Sequence, residues 1–263
     1  MTSTTATPRL SDDRLAELLK LLQGADTVEL KLTVPNADRR AAKTLGVDPL
    51  EAQVRQVYFF DTPDLTLNQH GLVMRARRVQ NREHDTVVKL RPVVPGELTP
   101  ELRSSPSFGV EVDAMPGGYV CSGSMKRLLG TADVWDFFGK KKPLRKLFSK
   151  EQRALYEAHA PEGLAIDDLS VLGPIFVLKL KFLPTGFTRK IVAELWLYPD
   201  NTMLIELSTK CAPSETFHVA AEARAYLSQA GVDLAGEQET KTKKALEYFA
   251  NQLREEGTNG GPA

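Results

Sequence analysis

The chain has 263 residues, 42% of them hydrophobic, enough for one large core or two small ones. Its 34 basic and 34 acidic residues cancel, which argues against a general nucleic-acid coat and a polybasic membrane anchor, so any basic site must be local. Two cysteines, Cys121 and Cys211, are too few for a disulfide framework and point to a reducing, cytoplasmic compartment; no apolar run reaches membrane-spanning length.

Residues 1–8 are rich in Thr and Ser, lack the parts of a signal peptide, and read as a disordered tail. Residues 11–22 read as a helix with Ser11 as N-cap, an apolar stripe of Leu15, Leu18, Leu19 and Leu22, and Gly24 as its stop. In Thr27–Val34, Val28, Leu30, Leu32 and Val34 alternate with Thr27, Glu29, Lys31 and Thr33, the signature of a strand with one apolar face. A short helix is expected over 36–45. Strands follow over 53–60, 71–78, 86–91 and 108–113, with a turn at 61–64, the polar loop 80–85 inside a hairpin, and a Pro-rich loop over 92–106. The glycines of 115–123 are not followed by the Gly-Lys-Ser/Thr of a P-loop. Residues 125–129 and 133–138 read as short helical turns, Lys140 to Lys142 as a solvated cluster, and 144–158 as a helix. Strands resume over 175–182, 188–198 and 203–210, and helices over 214–229 and 240–254 close the chain. No linker divides two cores. The expected organisation is a tail and helix over 1–26, one β-rich domain over 27–254, and a disordered tail over 255–263.

The alternation repeats with charge on one face. The strands present Glu29 and Lys31, then Arg75 and Arg77, Lys89 and Arg91, Glu111 and Asp113, Lys179 and Lys181, Lys190 and Glu194, and last Glu206, Ser208 and Lys210. The opposite faces carry Leu30, Met74, Val88, Val110, Leu178, Ile191 and Ile205. Only 53–60 shows no clear charged face. Two arrangements fit: a sheet with its charges in water, or a closed barrel with the charges inside and helices over an apolar outside. The dominance of Arg, Lys and Glu over Thr, Ser and Gln favours the second. A charged interior is costly unless neutralised. Here basic residues outnumber acids, which asks for a polyanion. Arginine suits phosphate through its bidentate fork, and the carboxylates suit Mg²⁺ or Mn²⁺ riding on the phosphates.

Short motifs fall in one order along the chain: Glu29-Leu-Lys31, Tyr58-Phe-Phe-Asp-Thr-Pro-Asp64, Gly71-Leu-Val-Met-Arg-Ala-Arg77, Thr86-Val-Val-Lys89, the acidic strand at Glu111, Ile205-Glu-Leu207 and Thr240-Lys-Thr-Lys-Lys244. Together they resemble the CYTH family, the triphosphate tunnel metalloenzymes, over about residues 27–250. The resemblance implies an α+β fold: a closed antiparallel eight-stranded β-barrel with a charged interior, covered outside by helices. It implies a triphosphate-containing small molecule as partner (tripolyphosphate, ATP or similar), with neither membrane nor nucleic acid involved, and Mg²⁺ or Mn²⁺ as cofactor. Carried over residue by residue, phosphate would be held by Lys31, Arg75, Arg77, Lys89, Arg91, Lys179 or Lys181, and Lys241 or Lys243. Metal would be held by Glu29, Glu111, Asp113, Glu194 and Glu206, with Glu29 and Lys31 at the chemistry. Triphosphate hydrolysis is the expected reaction; cyclisation of ATP and binding without turnover are the alternatives. Two positions depart from the family pattern. Thr27 stands where the motif has its first Glu, and Ser208 where the late strand often has a second, so each hydroxyl removes a negative charge from the metal side. His70, His84, His159 and His218 show no metal-ligand spacing, and Cys121 has no paired base.

Overall fold

The fold is that of a computed structural model, which describes residues 11–34, 45–46, 48–130, 133, 137, 142–234, 238 and 241–259. The tail over 1–8, the expected helix over 36–45 except Leu45, and most of 133–141 lie outside the described residues.

Nine strands form among the described residues: β1 (Thr27–Val34), β2 (Gln53–Asp61), β3 (Leu72–Val79), β4 (His84–Leu90), β5 (Phe108–Met115), β6 (Gly118–Leu129), β7 (Ser170–Phe182), β8 (Ile191–Leu197) and β9 (Met203–Cys211). They close into a barrel in the order β1-β5-β6-β4-β3-β2-β7-β8-β9. The expected barrel is present with two corrections. It has nine strands rather than eight, because β6 occupies the stretch read as a glycine loop and a helical turn. It is mixed rather than wholly antiparallel, because β1 runs parallel to β5, Thr27 opposite Glu111. Gly123 explains part of the misreading. A Cβ there would lie 2.5 Å from the Phe108 ring, so glycine is needed for that ring to cross the neighbouring strand.

The helices are α1 (Asp12–Gly24), α2 (Thr66–Gln69), α3 (Pro100–Ser104), α4 (Lys150–Glu157), α5 (Thr216–Gln229) and α6 (Lys241–Asn259). Ser11 caps α1 as expected, accepting from the Arg14 amide. The buried stripe of α1 is Leu18, Leu21 and Leu22, while Leu15 and Leu19 are 37% and 44% exposed. Helix α6 reaches Asn259, so residues 255–259 are helical rather than tail.

The apolar side of the barrel faces outward and is covered on much of its surface. Leu18, Leu21 and Leu22 share one buried cluster with Val28, Val110 and Val112, as do Phe148, Leu155 and Tyr156 with Met74, Val88 and Met125. Phe60 lies at its centre, edge-on to Phe148 at 5.8 Å; burying such a ring contributes about 2–3 kcal/mol. Leu227 of α5 covers Leu32 and Leu207. The outer face of β7 and β9 is more open, with Phe176 and Met203 exposed. Helix α6 does something different. Its Ala245, Leu246 and Phe249 pack with Val57, Phe59, Val177 and Trp196, which line the barrel's interior. The last helix therefore closes one end of the barrel instead of covering its outside.

Gln152 fastens α4 to the barrel. It is fully buried, donates to the carbonyls of Thr86 (3.1 Å) and Met125 (3.0 Å), and accepts from the Thr86 hydroxyl at 3.0 Å. Gln152→Leu keeps the bulk and strands those groups. It is expected to cost about 3 kcal/mol, read as a lowered urea midpoint with unchanged slope.

Candidate functional site

Inside the barrel is a cavity of about 830 Å³, lined among the described residues by eleven Lys and Arg side chains and seven Asp and Glu side chains. The charged faces read from the sequence thus converge on one space. Period-two alternation places them there: where a strand's apolar residues pack under the helices, its alternate residues must point inward.

The carboxylate of Asp113 is completely buried at one wall. Lys31 lies 2.8 Å from it, Lys89 3.4 Å and Arg91 3.6 Å. Burial opposes its charge, but the three cations hold its pKa far below the usual carboxylate range. Lys31 also meets Glu29 at 3.2 Å; burial works against its charge, and Asp113 and Glu29 keep it above the ordinary lysine value. Lys89 goes the other way. Burial lowers it, Asp113 raises it, and Lys31 and Arg91 lower it again, leaving it at about 8.

The two departures from the family motif have a visible role. The Thr27 hydroxyl donates to Glu111 Oε2 at 3.1 Å, and the Ser208 hydroxyl donates to Glu29 Oε1 at 2.9 Å. Lys210 also pairs with Glu111. Each hydroxyl replaces what would be carboxylate repulsion with a hydrogen bond.

On β8 and β9, the latter paired with β1, Glu194 and Glu206 sit opposite each other. Lys179 binds Glu194 at 2.8 Å. Lys241, the first described residue of α6, lies 2.5 Å from Glu194 and 2.7 Å from Glu206. Burial raises the Glu194 pKa, but Lys241 and Lys179 hold it well below the carboxylate range.

A third group is cationic. Arg77 makes a two-pronged contact with Asp85, both bonds 2.9 Å. Arg75 beside it is half-buried, and its buried Nε has no hydrogen-bond partner. Burial and then Arg77 push the Arg75 pKa down to about 10. Arg55 donates only to Gln53, a neutral partner.

Two expected phosphate ligands are not in the cavity. Lys181 is exposed, since β7 runs past the cavity before that position, and Lys243 points away from it and reaches Glu247 at 3.8 Å. Lys190, at the start of the predicted strand 188–198, is also exposed and precedes β8. Conversely, Arg55, Arg82, Asp85 and Lys126 line the cavity without having been singled out. Asp85 was legible, because Asp85, Val87 and Lys89 continue the alternation of β4 backwards. Arg55 is the single inward charge of β2, and one charge does not make a face.

Glu29, Glu111 and Asp113 bring carboxylate oxygens within 4.8 Å of one another. An all-oxygen donor set suits Mg²⁺ or Mn²⁺, and Glu29 and Glu111 open onto the cavity. These residues fit a hard dication. Asp113, completely buried and paired with three cations, is the third carboxylate of the group.

Solved structures can be compared with this arrangement. A candidate adenylate cyclase from Bacillus halodurans superposes with a TM-score of 0.56 at 12% identity, over 83% of this chain and 98% of that one. HpAC1 from Hippeastrum, a candidate adenylyl cyclase for which a dominant triphosphatase activity is described, superposes with a TM-score of 0.57 at 15% identity, over 80% and 91%. This chain has the CYTH fold. No protein-family model matches the sequence, and no curated protein sequence does. At these identities the CYTH fold is what the neighbours share with this chain. Among the described residues, no helix is long and apolar enough to cross a membrane.

Proposed function

We propose that this chain is a divergent cytosolic member of the CYTH family whose tunnel binds a triphosphate and, with Mg²⁺ or Mn²⁺, hydrolyses it. The observation that carries the reading is Arg75: a half-buried side chain whose buried Nε has no hydrogen-bond partner, in a cavity where cations outnumber acids. A buried donor without a partner is costly, and a phosphate oxygen is the partner it fits. Arg75, Arg77 and Arg55 would take one end of the triphosphate, and Lys31, Lys89 and Arg91 the other, with Lys179 between them and the α6 end. Their charges would stabilise the negative charge leaving with the departing phosphate, and the fixed walls would hold the chain in line for attack by water. Glu29 and Glu111 would hold the metal, which when bound supplies further charge neutralisation on the phosphoryl oxygens. Phosphate release from a panel of tripolyphosphate, ATP and other triphosphates, with and without each metal, tests the reading. Metal-dependent release above a denatured control supports hydrolysis.

Binding without turnover is the second reading, and the Thr27–Glu111 and Ser208–Glu29 hydrogen bonds favour it, because each removes a carboxylate from the metal side. Tight tripolyphosphate binding with no phosphate release, and no cyclic AMP from ATP, would decide for it.

Lys89 gives the binding a pH dependence. With its pKa at about 8, it is a cation below that pH and neutral above it. An anion bound beside it favours the protonated form. Tripolyphosphate affinity is therefore expected to fall as pH rises from 7 to 9, with proton uptake on binding near pH 8. Lys89→Met should flatten the profile, and an unchanged profile in that variant would remove Lys89 from the site.

A further inference from the structure

Glu194 and Glu206 sit directly opposite each other on adjacent strands, both buried. Like charges so placed are destabilising and need a cation between them. The family resemblance fills such a pair with a metal. In this chain a side chain fills it. Lys241 Nζ lies 2.5 Å from Glu194 Oε2 and 2.7 Å from Glu206 Oε1, and 5.2 Å over the Trp196 ring. Trp196 donates its indole N–H to the same Glu194 oxygen at 3.3 Å, and Lys179 takes the other at 2.8 Å. The lysine is not a loose surface group that reached in. Its own carbonyl accepts from Tyr198 at 3.1 Å, and the helix it begins is anchored by Ala245, Leu246 and Phe249 in the closed end of the barrel.

We infer that Lys241 is a built-in cation that occupies the Glu194–Glu206 pair in place of a divalent metal, so that divalent metal binds only at the Glu29–Glu111 wall. Three facts of geometry agree. The ammonium contacts both acids at once, a cation–π contact adds to its hold, and the remaining Glu194 oxygen is already taken by Lys179. The hydroxyls of Thr27 and Ser208 do the same work beside that pair, where they relieve Glu111 and Glu29 without a second charge. The Glu194–Glu206 pair is thereby neutralised by the chain itself. Lys241 would set the number of metals this chain takes and, by tying α6 to β8 and β9, keep the closed end shut.

The test counts Mn²⁺ bound per chain from the loss of the free-ion electron paramagnetic resonance signal, on the full chain without phosphate. The inference goes beyond the triphosphate reading, and a metal count without substrate lets the two fail separately. Glu206→Gln is expected to leave the wild-type count unchanged. Lys241→Met is expected to bind one Mn²⁺ more than the wild type, and Lys241→Met with Glu206→Gln to lose that extra ion. Far-UV circular dichroism establishes which variants are folded. If Glu206→Gln costs the wild type an ion, or folded Lys241→Met gains none, the inference is wrong. Should Lys241→Met not fold, the Glu206→Gln count alone decides, since a metal held by the pair cannot survive loss of one of its carboxylates unchanged.

Discussion

Replacing Arg75 by methionine is expected to weaken tripolyphosphate binding about 100-fold while raising the melting temperature of the free protein. The two effects share one cause. Arg75 is half-buried with its buried Nε unpartnered, and in the empty tunnel burial and the neighbouring Arg77 outweigh the help its charge receives from Asp85 and Glu194. Methionine has similar length and no charge, which removes that cost; a gain of 1 kcal/mol in a chain of this size raises the melting temperature by about 2–4 °C. With tripolyphosphate present the balance reverses. Two charge-assisted hydrogen bonds from the guanidinium are lost, each about 1.5 kcal/mol, and about 1.4 kcal/mol is a factor of ten in affinity. Calorimetric titration and thermal unfolding of the same preparation read both. A residue that matters only for structure would lower the melting temperature, and one that faces solvent would move neither.

Asp113→Asn is expected to be the most damaging single change in the tunnel wall. Its carboxylate is the common counter-ion of Lys31, Lys89 and Arg91. Asparagine has the same shape and leaves three cations gathered around a neutral group. Breaking a buried pair in this way costs about 3–5 kcal/mol, which would lower the melting temperature by about 10 °C. Tripolyphosphate should restore much of the loss, because a ligand at a hundred times its dissociation constant stabilises the folded state by about 2.7 kcal/mol and supplies the missing negative charge. An Asp113→Asn protein as stable as the wild type without ligand would show that those cations are solvated and that the wall is not a tunnel interior. The sign of the linkage agrees. The pKa of Asp113 is depressed, so the stability it contributes is complete above its unfolded value and is lost only as pH falls through the folded one.

The inward charge was legible because strand periodicity is local. Glu29 with Lys31, Arg75 with Arg77, and Lys89 with Arg91 each sit two residues apart, and each pair lines the cavity. What could not be read depends on the other side of the sheet. β6 carries Gly118 and Gly123, which weaken a strand signal, and the reason for Gly123 is a ring on the neighbouring strand. The parallel pairing of β1 with β5 joins residues 84 apart in sequence, as at Thr27 and Glu111, and no local pattern encodes it. Lys181 continues the alternation of Lys179, but the cavity ends before it. The choice between Lys241 and Lys243 turns on where α6 begins. Two residues on a helix are about 200° apart, so one of them points at Glu194 and Glu206 and the other away. Most informative is Lys241 itself. The family resemblance offers it, or Lys243, as a phosphate ligand, and the structure gives it two carboxylates.

The charged faces meet in one cavity, and a linear polyanion is the ligand proposed for it. Calorimetric titration of tripolyphosphate, pyrophosphate and monophosphate into the full chain at matched ionic strength tests it most directly. Tripolyphosphate should bind one to one, with affinity falling at each shorter anion, because a longer anion reaches both the Lys31–Lys89–Arg91 group and the Arg75 group. Equal, weak and salt-abolished binding of all three would contradict it, since that is how a solvated charged face behaves.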